Sequence, residues 1–205
     1  MSVTHTRPEN RAAVGKTIGD LARASGRAPI EVFLDLALSE ELKTGVKIHD
    51  FANRDQDALA TMLKHPNAVI GLSDGGAHTK LFSLGKYPIE FLAHWIRDRE
   101  LLSLEEAHWR LSFVPAWIIG LHDRGVLREG TAADVIVYDL ERLRIDPSEP
   151  EMVYDLPGGE GRLVQRAAGI DYTIVNGRVT FAGQTCTGAR PGAVLRSAAY
   201  DPQAA

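Results

Sequence analysis

The sequence predicts a mixed α/β protein, with a larger part built from helices and strands followed by a smaller β part. Before residue 122, several segments carry apolar residues at helical spacing. The run "NAVIGLSD" (67–74) is apolar without alternation, which is typical of a strand buried on both faces of a parallel sheet. After residue 123 the chain is rich in Val, Ile and Thr between turn residues, which favours strands. The predicted domains are therefore residues 1–122 and 123–205.

Length and composition exclude several classes of function. The chain has 205 residues, 44% of them hydrophobic, and a net charge of −4, so it offers no basic footprint for nucleic acid or a membrane surface. No apolar run approaches the length of a membrane span, and the N-terminus has no apolar leader, so we expect a cytoplasmic protein. The single cysteine, Cys186, excludes an intrachain disulfide and a cysteine-only zinc site, and we expect it to pack as a small hydrophobic residue.

Helix signals dominate the first part of the chain. The first 17 residues lack periodicity and are predicted to be a tail or a connection. Thr17 is the predicted N-cap of a helix that stops at Gly26, and Pro29 opens a second helix over 29–42. One apolar face is predicted for this second helix, from the residues Ile30, Phe33, Leu34, Ala37 and Leu38.

A strand, a helix and a second strand come next. "GVKIHDF" (45–51) is predicted to be a short strand, and Asn53 with Gln56 resembles a capping box for a helix over 54–65. With the strand over 67–74, these segments predict a right-handed βαβ unit.

The remaining elements are predicted from turn and cap residues. Pro88 lies near the start of a helix over 87–101, Ser103 with Glu106 forms a capping box for a helix over 103–112, and Pro115 starts a third, short helix. Asn176-Gly177 predicts a type I′ hairpin in the β part. Residues 146–167, rich in Pro, Gly and charge, are predicted to be a surface excursion.

Asp74 is the first candidate for chemistry, because functional groups collect beyond the carboxyl ends of parallel strands. Gly75 and Gly76 after it allow a substrate to approach closely, and His78 comes shortly afterwards in a loop. The alternative is that these residues, with Ser73, form a simple turn, and the four residues 73–76 alone favour the turn. One of His49 and Asp50, which end the preceding predicted strand, could face the same site. No H-x-H pair or H-E-x-x-H helix occurs in the sequence.

Three segments of the chain carry a family resemblance: "VIGLSDGGAH", "LSLEEAHWRLSFVPAWIIGLHDRGVLREGTAADVIVYD" and "TIVNGRVTFAGQTCTGARPGAVLR". Together they resemble the C-terminal part of amidohydrolase-superfamily enzymes, and most closely the D-aminoacylase (N-acyl-D-amino-acid deacylase) branch. The resemblance extends from "GKTIGDLA" to "GAVLR", and the order "DRG-x-L-x-x-G-x-x-ADV-x-V-x-D" over 123–139 is its most specific segment.

The resemblance implies the C-terminal portion of a metal-dependent (β/α)₈ barrel, about strands 7 and 8 with their helices, and part of a small β-sandwich domain. Asp74 then matches the strand-8 aspartate, which lies beside a zinc ion, takes the proton from the attacking water and delivers it to the leaving nitrogen. By the same resemblance, Ser73, Gly75, Gly76 and His78 border the pocket of a small-molecule substrate.

The family's H-x-H motif, its other metal ligands and its substrate-clamping residues lie upstream of the matched region. We therefore expect the isolated chain to have little or no activity, and to need a complementing N-terminal barrel chain or a homo-oligomer for the hydrolysis of an N-acyl-D-amino acid. The alternative is a non-catalytic remnant or interaction domain without a metal site. Hydrolysis of a cyclic amide or imide would use the same site and stays open.

Overall fold

The computed structural model describes residues 1–48, 53–71, 73, 77, 85–146 and 150–196. The chain divides into two compact units, residues 1–59 and 60–205. The predicted domain boundary near residue 122 stays a prediction. Helices and antiparallel strand pairs make up the described residues, which agrees with the mixed α/β class expected from the sequence.

The first unit contains a two-stranded sheet at its N-terminus. Strand β1 (Ser2–His5) pairs antiparallel with β2 (Gly45–Lys47), and a 3₁₀ helix lies after β1 at Pro8–Ala13. The prediction of a tail over the first 17 residues is therefore wrong. Val3 is 1% exposed and lies in a core cluster with Ala13 and Ile18, and such isolated apolar residues in a polar stretch produce no periodic pattern.

Helix α1 (Ile18–Ser25) has the predicted ends. The hydroxyl oxygen of Thr17 accepts a hydrogen bond from the Asp20 amide at 3.0 Å, and the Asp20 carboxylate accepts one from the Thr17 amide at 3.3 Å. Gly26 stops the helix with φ of 67°, a left-handed conformation that glycine adopts without a steric penalty.

Helix α2 (Pro29–Ser39) starts at Pro29 as predicted but ends three residues early. Its inner face packs Phe33 and Leu36 against the core cluster around Val3. Ala37 is buried as well, at 8% exposure, but three residues of the predicted apolar face lie on another side of the helix and are exposed: Ile30 (61%), Leu34 (48%) and Leu38 (66%).

Glu40, whose carboxylate is fully buried, stabilises the loop between α2 and β2. Glu40 accepts hydrogen bonds from the Arg7 amide at 3.1 Å, from Asn10 Nδ2 at 2.8 Å and from Thr44 Oγ1 at 2.7 Å. Burial works against its ionisation, but these hydrogen bonds outweigh that effect and hold the pKa of Glu40 below its ordinary value.

Helix α3 (Gln56–Lys64) is capped two residues later than predicted. The side chain of Asp55, rather than that of Asn53, accepts hydrogen bonds from the Asp57 and Ala58 amides at 3.1 and 2.9 Å. Gln56 instead donates its side-chain amide to the Asn53 carbonyl at 2.9 Å.

The predicted βαβ unit is not found among the described residues. Residues 67–71 are in no strand ladder, and each strand pair in the described ranges is antiparallel. A βαβ unit requires ladder hydrogen bonds in the same sheet. Strand β2, which corresponds to the first strand of the predicted unit, forms its ladder hydrogen bonds with β1 and not with residues 67–71.

Two helical runs precede the β part. The first comprises α4 (Tyr87–Glu90) and a π-helical continuation over Phe91–Asp98; Phe91, Leu92, Trp95 and Ile96 are all buried, as their spacing predicted. The second comprises α5 (Leu104–His108), a π-helical stretch (Trp109–Phe113) and α6 (Val114–Ile118).

Pro115 lies in the first turn of α6, which agrees with the short helix predicted there, although α6 continues the second run without a break. It has no amide hydrogen to donate, which accounts for the irregular turn before it. None of the helices in the described ranges is long and apolar enough to cross a membrane.

The β part contains a four-stranded antiparallel sheet of order β10-β9-β8-β3. Its strands are β3 (Val135–Tyr138), β8 (Ile170–Val175), β9 (Arg178–Ala182) and β10 (Thr185–Cys186). Between β8 and β9, Asn176 and Gly177 have φ of 46° and 74°, which confirms the predicted type I′ hairpin. Cys186 is exposed on β10, so the prediction that it packs in the interior is wrong; β10 is a sheet-edge strand whose two residues are both exposed.

Two small strand pairs complete this part. Strand β4 (Arg144–Ile145) pairs with β7 (Ala167–Ala168), and β5 (Glu151–Val153) pairs with β6 (Arg162–Val164). The excursion predicted over 146–167 thus contains a short hairpin, with a 3₁₀ turn at Pro157–Gly159.

Candidate functional site

The predicted site residues fall mainly in a part of the chain that the structure does not describe. Asp74, Gly75, Gly76 and His78 lie outside the described residues, as do His49 and Asp50. Ser73 is described and is half-buried. The roles assigned to these residues from the sequence stay predictions. The described residues immediately before them show how the chain is held as it approaches Asp74.

The end of α3 is held by the buried side chain of Arg110. Its Nη1 donates to the carbonyls of Leu63 at 2.8 Å and His65 at 3.1 Å, and its Nη2 donates to the carbonyl of Lys64 at 3.4 Å. The last carbonyls of a helix have no partner within the helix, and a guanidinium ion satisfies them with charge-assisted hydrogen bonds. Arg110 is only 5% exposed, so water has little access to these bonds.

The Arg110 guanidinium is itself fixed by Glu106, one helical turn earlier. Glu106 Oε1 accepts from Arg110 Nε at 2.9 Å and from Nη2 at 2.8 Å. Ser103 Oγ accepts from the Glu106 amide at 3.2 Å, which is one half of the predicted capping box. The Glu106 carboxylate thus binds Arg110, and the sequence signal missed here is the i, i+4 pairing of Glu106 with Arg110.

An open depression of about 330 Å³ lies where α3 ends and the chain turns toward Ser73. Its lining consists of Thr61, Met62, His65, Asn67 and Ala68. His65 Nδ1 accepts from the Asn67 amide at 3.2 Å, and the His65 carbonyl accepts from the Ala68 amide at 3.0 Å. The turn that leads to the candidate site is therefore fixed by local hydrogen bonds as well as by Arg110.

Two contacts join the helical runs to the β part. Arg97 Nη1 donates to the carbonyls of Leu140 at 3.0 Å and Leu143 at 2.6 Å, on the loop after β3. His108 Nε2 and the Tyr138 hydroxyl form a 2.6 Å hydrogen bond. Burial lowers the pKa of His108 and raises the pKa of Tyr138, so both groups stay neutral near pH 7.

No group of three or more His, Cys, Asp or Glu side chains within the described ranges could hold a metal ion. Histidines in those ranges are engaged otherwise: the ring of His122 stacks on Trp117 at 4.2 Å, and the ring of His94 meets Trp95 edge-on at 5.1 Å. The residues that the structure describes do not by themselves fit a metal centre.

Comparison with known proteins finds deacylases of N-acyl-D-amino acids among the relatives of this chain, together with uncharacterised mycobacterial proteins. Residues 4–181 match the model described as "Amidohydrolase family". N-acyl-D-glutamate deacylase of Alcaligenes xylosoxydans xylosoxydans is 32% identical over 145 residues, which are 69% of this chain and 27% of that protein. D-aminoacylase of the same organism is 29% identical over 186 residues, which are 88% of this chain and 34% of that protein. The chain thus spans about a third, or less, of these curated relatives.

Solved structures lead to the same group. The chain aligns with N-acyl-D-glutamate deacylase from Bordetella bronchiseptica, whose structure holds zinc and a phosphonate mimic of the tetrahedral intermediate, with a TM-score of 0.59 and 26% identity. That alignment covers 96% of this chain and 37% of the deacylase. A D-aminoacylase structure aligns with a TM-score of 0.56 at 23% identity and supports the fold alone. Because the family match covers most of its residues, the chain belongs to the amidohydrolase family.

Proposed function

We propose that this chain supplies the Asp74-bearing part of a zinc-dependent amidohydrolase that hydrolyses N-acyl-D-amino acids. The observation that carries the proposal is the match of residues 4–181 to the amidohydrolase family. The substrate class comes from the relatives, which are named for deacylation of N-acyl-D-glutamate, N-acyl-D-aspartate and related D-amino acids. In this proposal, residues 45–51 and 67–74 correspond to strands 7 and 8 of a (β/α)₈ barrel.

Asp74 acts as the proton carrier of the reaction. Its carboxylate takes a proton from the attacking water and passes it to the nitrogen of the scissile amide, so that the amine leaves neutral. Ser73, Gly75, Gly76 and His78 border the substrate, and the two glycines leave room for close approach of the acyl group. A zinc ion held in such a site would lower the pKa of its bound water to about 7 and would polarise the amide carbonyl.

The metal requires ligands beyond those that the structure describes. A catalytic zinc site takes about three protein ligands, and no suitable group of three occurs in the described part of the chain. In the proposal, the other ligands come from undescribed residues such as His49, Asp50 and His78, or from a second polypeptide. The chain spans 37% of the zinc-bound deacylase, so the remaining barrel strands would come from polypeptide outside these 205 residues.

The test is hydrolysis of N-acetyl-D-glutamate by the purified chain, alone and after co-expression with the complementary N-terminal part of the Alcaligenes deacylase. The chain alone is expected to show little or no turnover, and the co-expressed pair is expected to bind zinc and to turn over substrate. Asp74→Asn should abolish turnover in the pair without loss of the complex. Asp155→Asn is the matched control, because Asp155 is exposed and pairs only with the exposed Arg162 in the described structure. Full activity of the Asp74→Asn pair would refute the proposal.

A non-catalytic interaction domain is the second candidate, and the exposed apolar residues of α2 favour it. This candidate predicts a metal-free chain that yields no turnover with any complementary part. A cyclic imide assayed beside the N-acyl-D-amino acid distinguishes the third possibility, since preference for the imide would place the chain with cyclic-amide hydrolases.

A further inference from the structure

Two buried or half-buried arginines of the second unit make the same kind of contact with different segments. Arg110 binds three backbone carbonyls at residues 63–65 and the carboxylate of Glu106. Arg97 binds three backbone carbonyls at residues 140, 141 and 143 and the carboxylate of Asp98. The two side chains therefore stabilise the protein by the same chemistry, but they hold segments that lead to different parts of the chain.

The segment held by Arg110 leads directly to Asp74. Only eight residues separate His65, whose carbonyl is the last that Arg110 binds, from Asp74. After His65 the chain turns at Pro66, and the amides of Asn67 and Ala68 both donate back to His65. Displacing the His65 carbonyl would therefore move the start of the segment that carries the candidate catalytic carboxylate. The segment held by Arg97 lies instead between β3 and β4 of the β part.

From this geometry we infer that Arg110 is a positioning residue for the candidate site, which sets the path of residues 66–71 through its hydrogen bonds to the end of α3. The inference rests on the proposed function of Asp74, but the contacts that carry it belong to described residues. Arg110 acts through the backbone: the guanidinium fixes the three carbonyls, the carbonyl and ring of His65 fix the turn, and the turn fixes the start of the segment that leads to Asp74.

The test compares Arg110→Met with the matched control Arg97→Met in the full chain, without added metal or substrate. Two measurements are made by NMR: hydrogen exchange of the Asn67 and Ala68 amides, and the chemical shift of the Asp74 carboxyl carbon, assigned with Asp74→Asn. Arg110→Met is expected to speed exchange of both amides by at least about tenfold, as local opening does, and to shift the Asp74 signal. Arg97→Met should change neither, although both variants lose three carbonyl contacts. Arg110→Lys keeps the charge and should restore part of the wild-type shift.

Unchanged amide exchange and an unchanged Asp74 signal in Arg110→Met would overturn the inference, because Arg110 would then act on stability alone. Equal changes in Arg97→Met would also overturn it, since the effect would be global. If Arg110→Met does not fold, Arg110→Gln is compared with Arg97→Gln by the same two measurements and the same criteria, because glutamine also removes the charge and the forked donors. None of these readouts uses activity, so failure of the proposed reaction and failure of the positioning role are distinguishable.

Discussion

Gly125 and Gly130 have nearly the same backbone conformation but different surroundings, which makes them a matched pair for substitution by alanine. Their φ angles are +81° and +82°. A Cβ atom on Gly125 would lie 2.7 Å from the carbonyl oxygen of Ser112 and 3.0 Å from the Cα of Phe113, both backbone atoms of the π-helical stretch. A Cβ atom on Gly130 would meet nothing within 4 Å.

The two substitutions should therefore differ in the free energy of unfolding. A left-handed conformation costs a non-glycine residue about 1–2 kcal/mol, and the reduced freedom of the unfolded chain returns about 0.4–1 kcal/mol. Gly130→Ala should thus cost about 1 kcal/mol. Gly125→Ala carries the same cost plus that of overpacking against backbone, about 1–3 kcal/mol. Its total is about 3 kcal/mol, which corresponds to a fall in Tm of roughly 6–12 °C for a chain of this size.

Urea unfolding followed by circular dichroism gives both free energies, and a thermal scan gives both values of Tm. Equal losses in the two variants would refute the reasoning, because the clash with the Ser112 carbonyl would then contribute nothing. A Gly130→Ala variant less stable than Gly125→Ala would refute it as well. The comparison also tests the packing of the 123–130 segment, which carries the most specific part of the family resemblance, against the helix before it.

Two further predictions concern pH. Burial lowers the pKa of His108 in the folded state below its ordinary value of 6.5, so its contribution to stability is complete above that value and declines as pH falls below it. His108→Gln should flatten the dependence of unfolding free energy on pH between about 5 and 7, while Tyr138→Phe should retain it, as measured by urea unfolding. The pKa of Glu40 in the folded state is below its ordinary value of 4.5. The contribution of Glu40 to the free energy of unfolding is therefore present above pH 4.5 and is lost as the pH falls through the folded-state pKa. Glu40→Gln should lower stability near pH 7 and reduce the acid-induced loss; an unchanged acid limb would contradict this.

Local signals in the sequence predict local structure well. The reciprocal cap of Thr17 with Asp20, the left-handed Gly26 and the hairpin turn at Asn176-Gly177 depend on residues within three or four positions of one another. The buried side of the helical run over 87–98 is predicted by helical spacing in the same way. Such features can be predicted because the residues whose interactions form them lie close together in the sequence.

Long-range contacts explain the predictions that are wrong. Strand β1 forms because Val3 pairs with Val46, which lies 43 positions later in the chain. No pattern within the first 17 residues indicates that pairing. Arg110 binds carbonyls more than forty residues earlier in the chain, so this role cannot be predicted from the helix that carries it, whereas its i, i+4 pairing with Glu106 could have been. The assignment of Asp74 came from resemblance rather than from its neighbours, because Ser-Asp-Gly-Gly is as typical of a turn as of a catalytic loop.

The division of the chain at residue 59 has a spectroscopic consequence. All three tryptophans and all five tyrosines lie after residue 59, at positions 95, 109 and 117 and at 87, 138, 154, 172 and 200. Intrinsic fluorescence therefore reports on the second unit and is silent for the first, whereas far-ultraviolet circular dichroism also detects α1 and α2. Superimposable unfolding curves from the two methods would mean that both units unfold in one cooperative step. Separate curves would resolve the stability of residues 1–59 without a label.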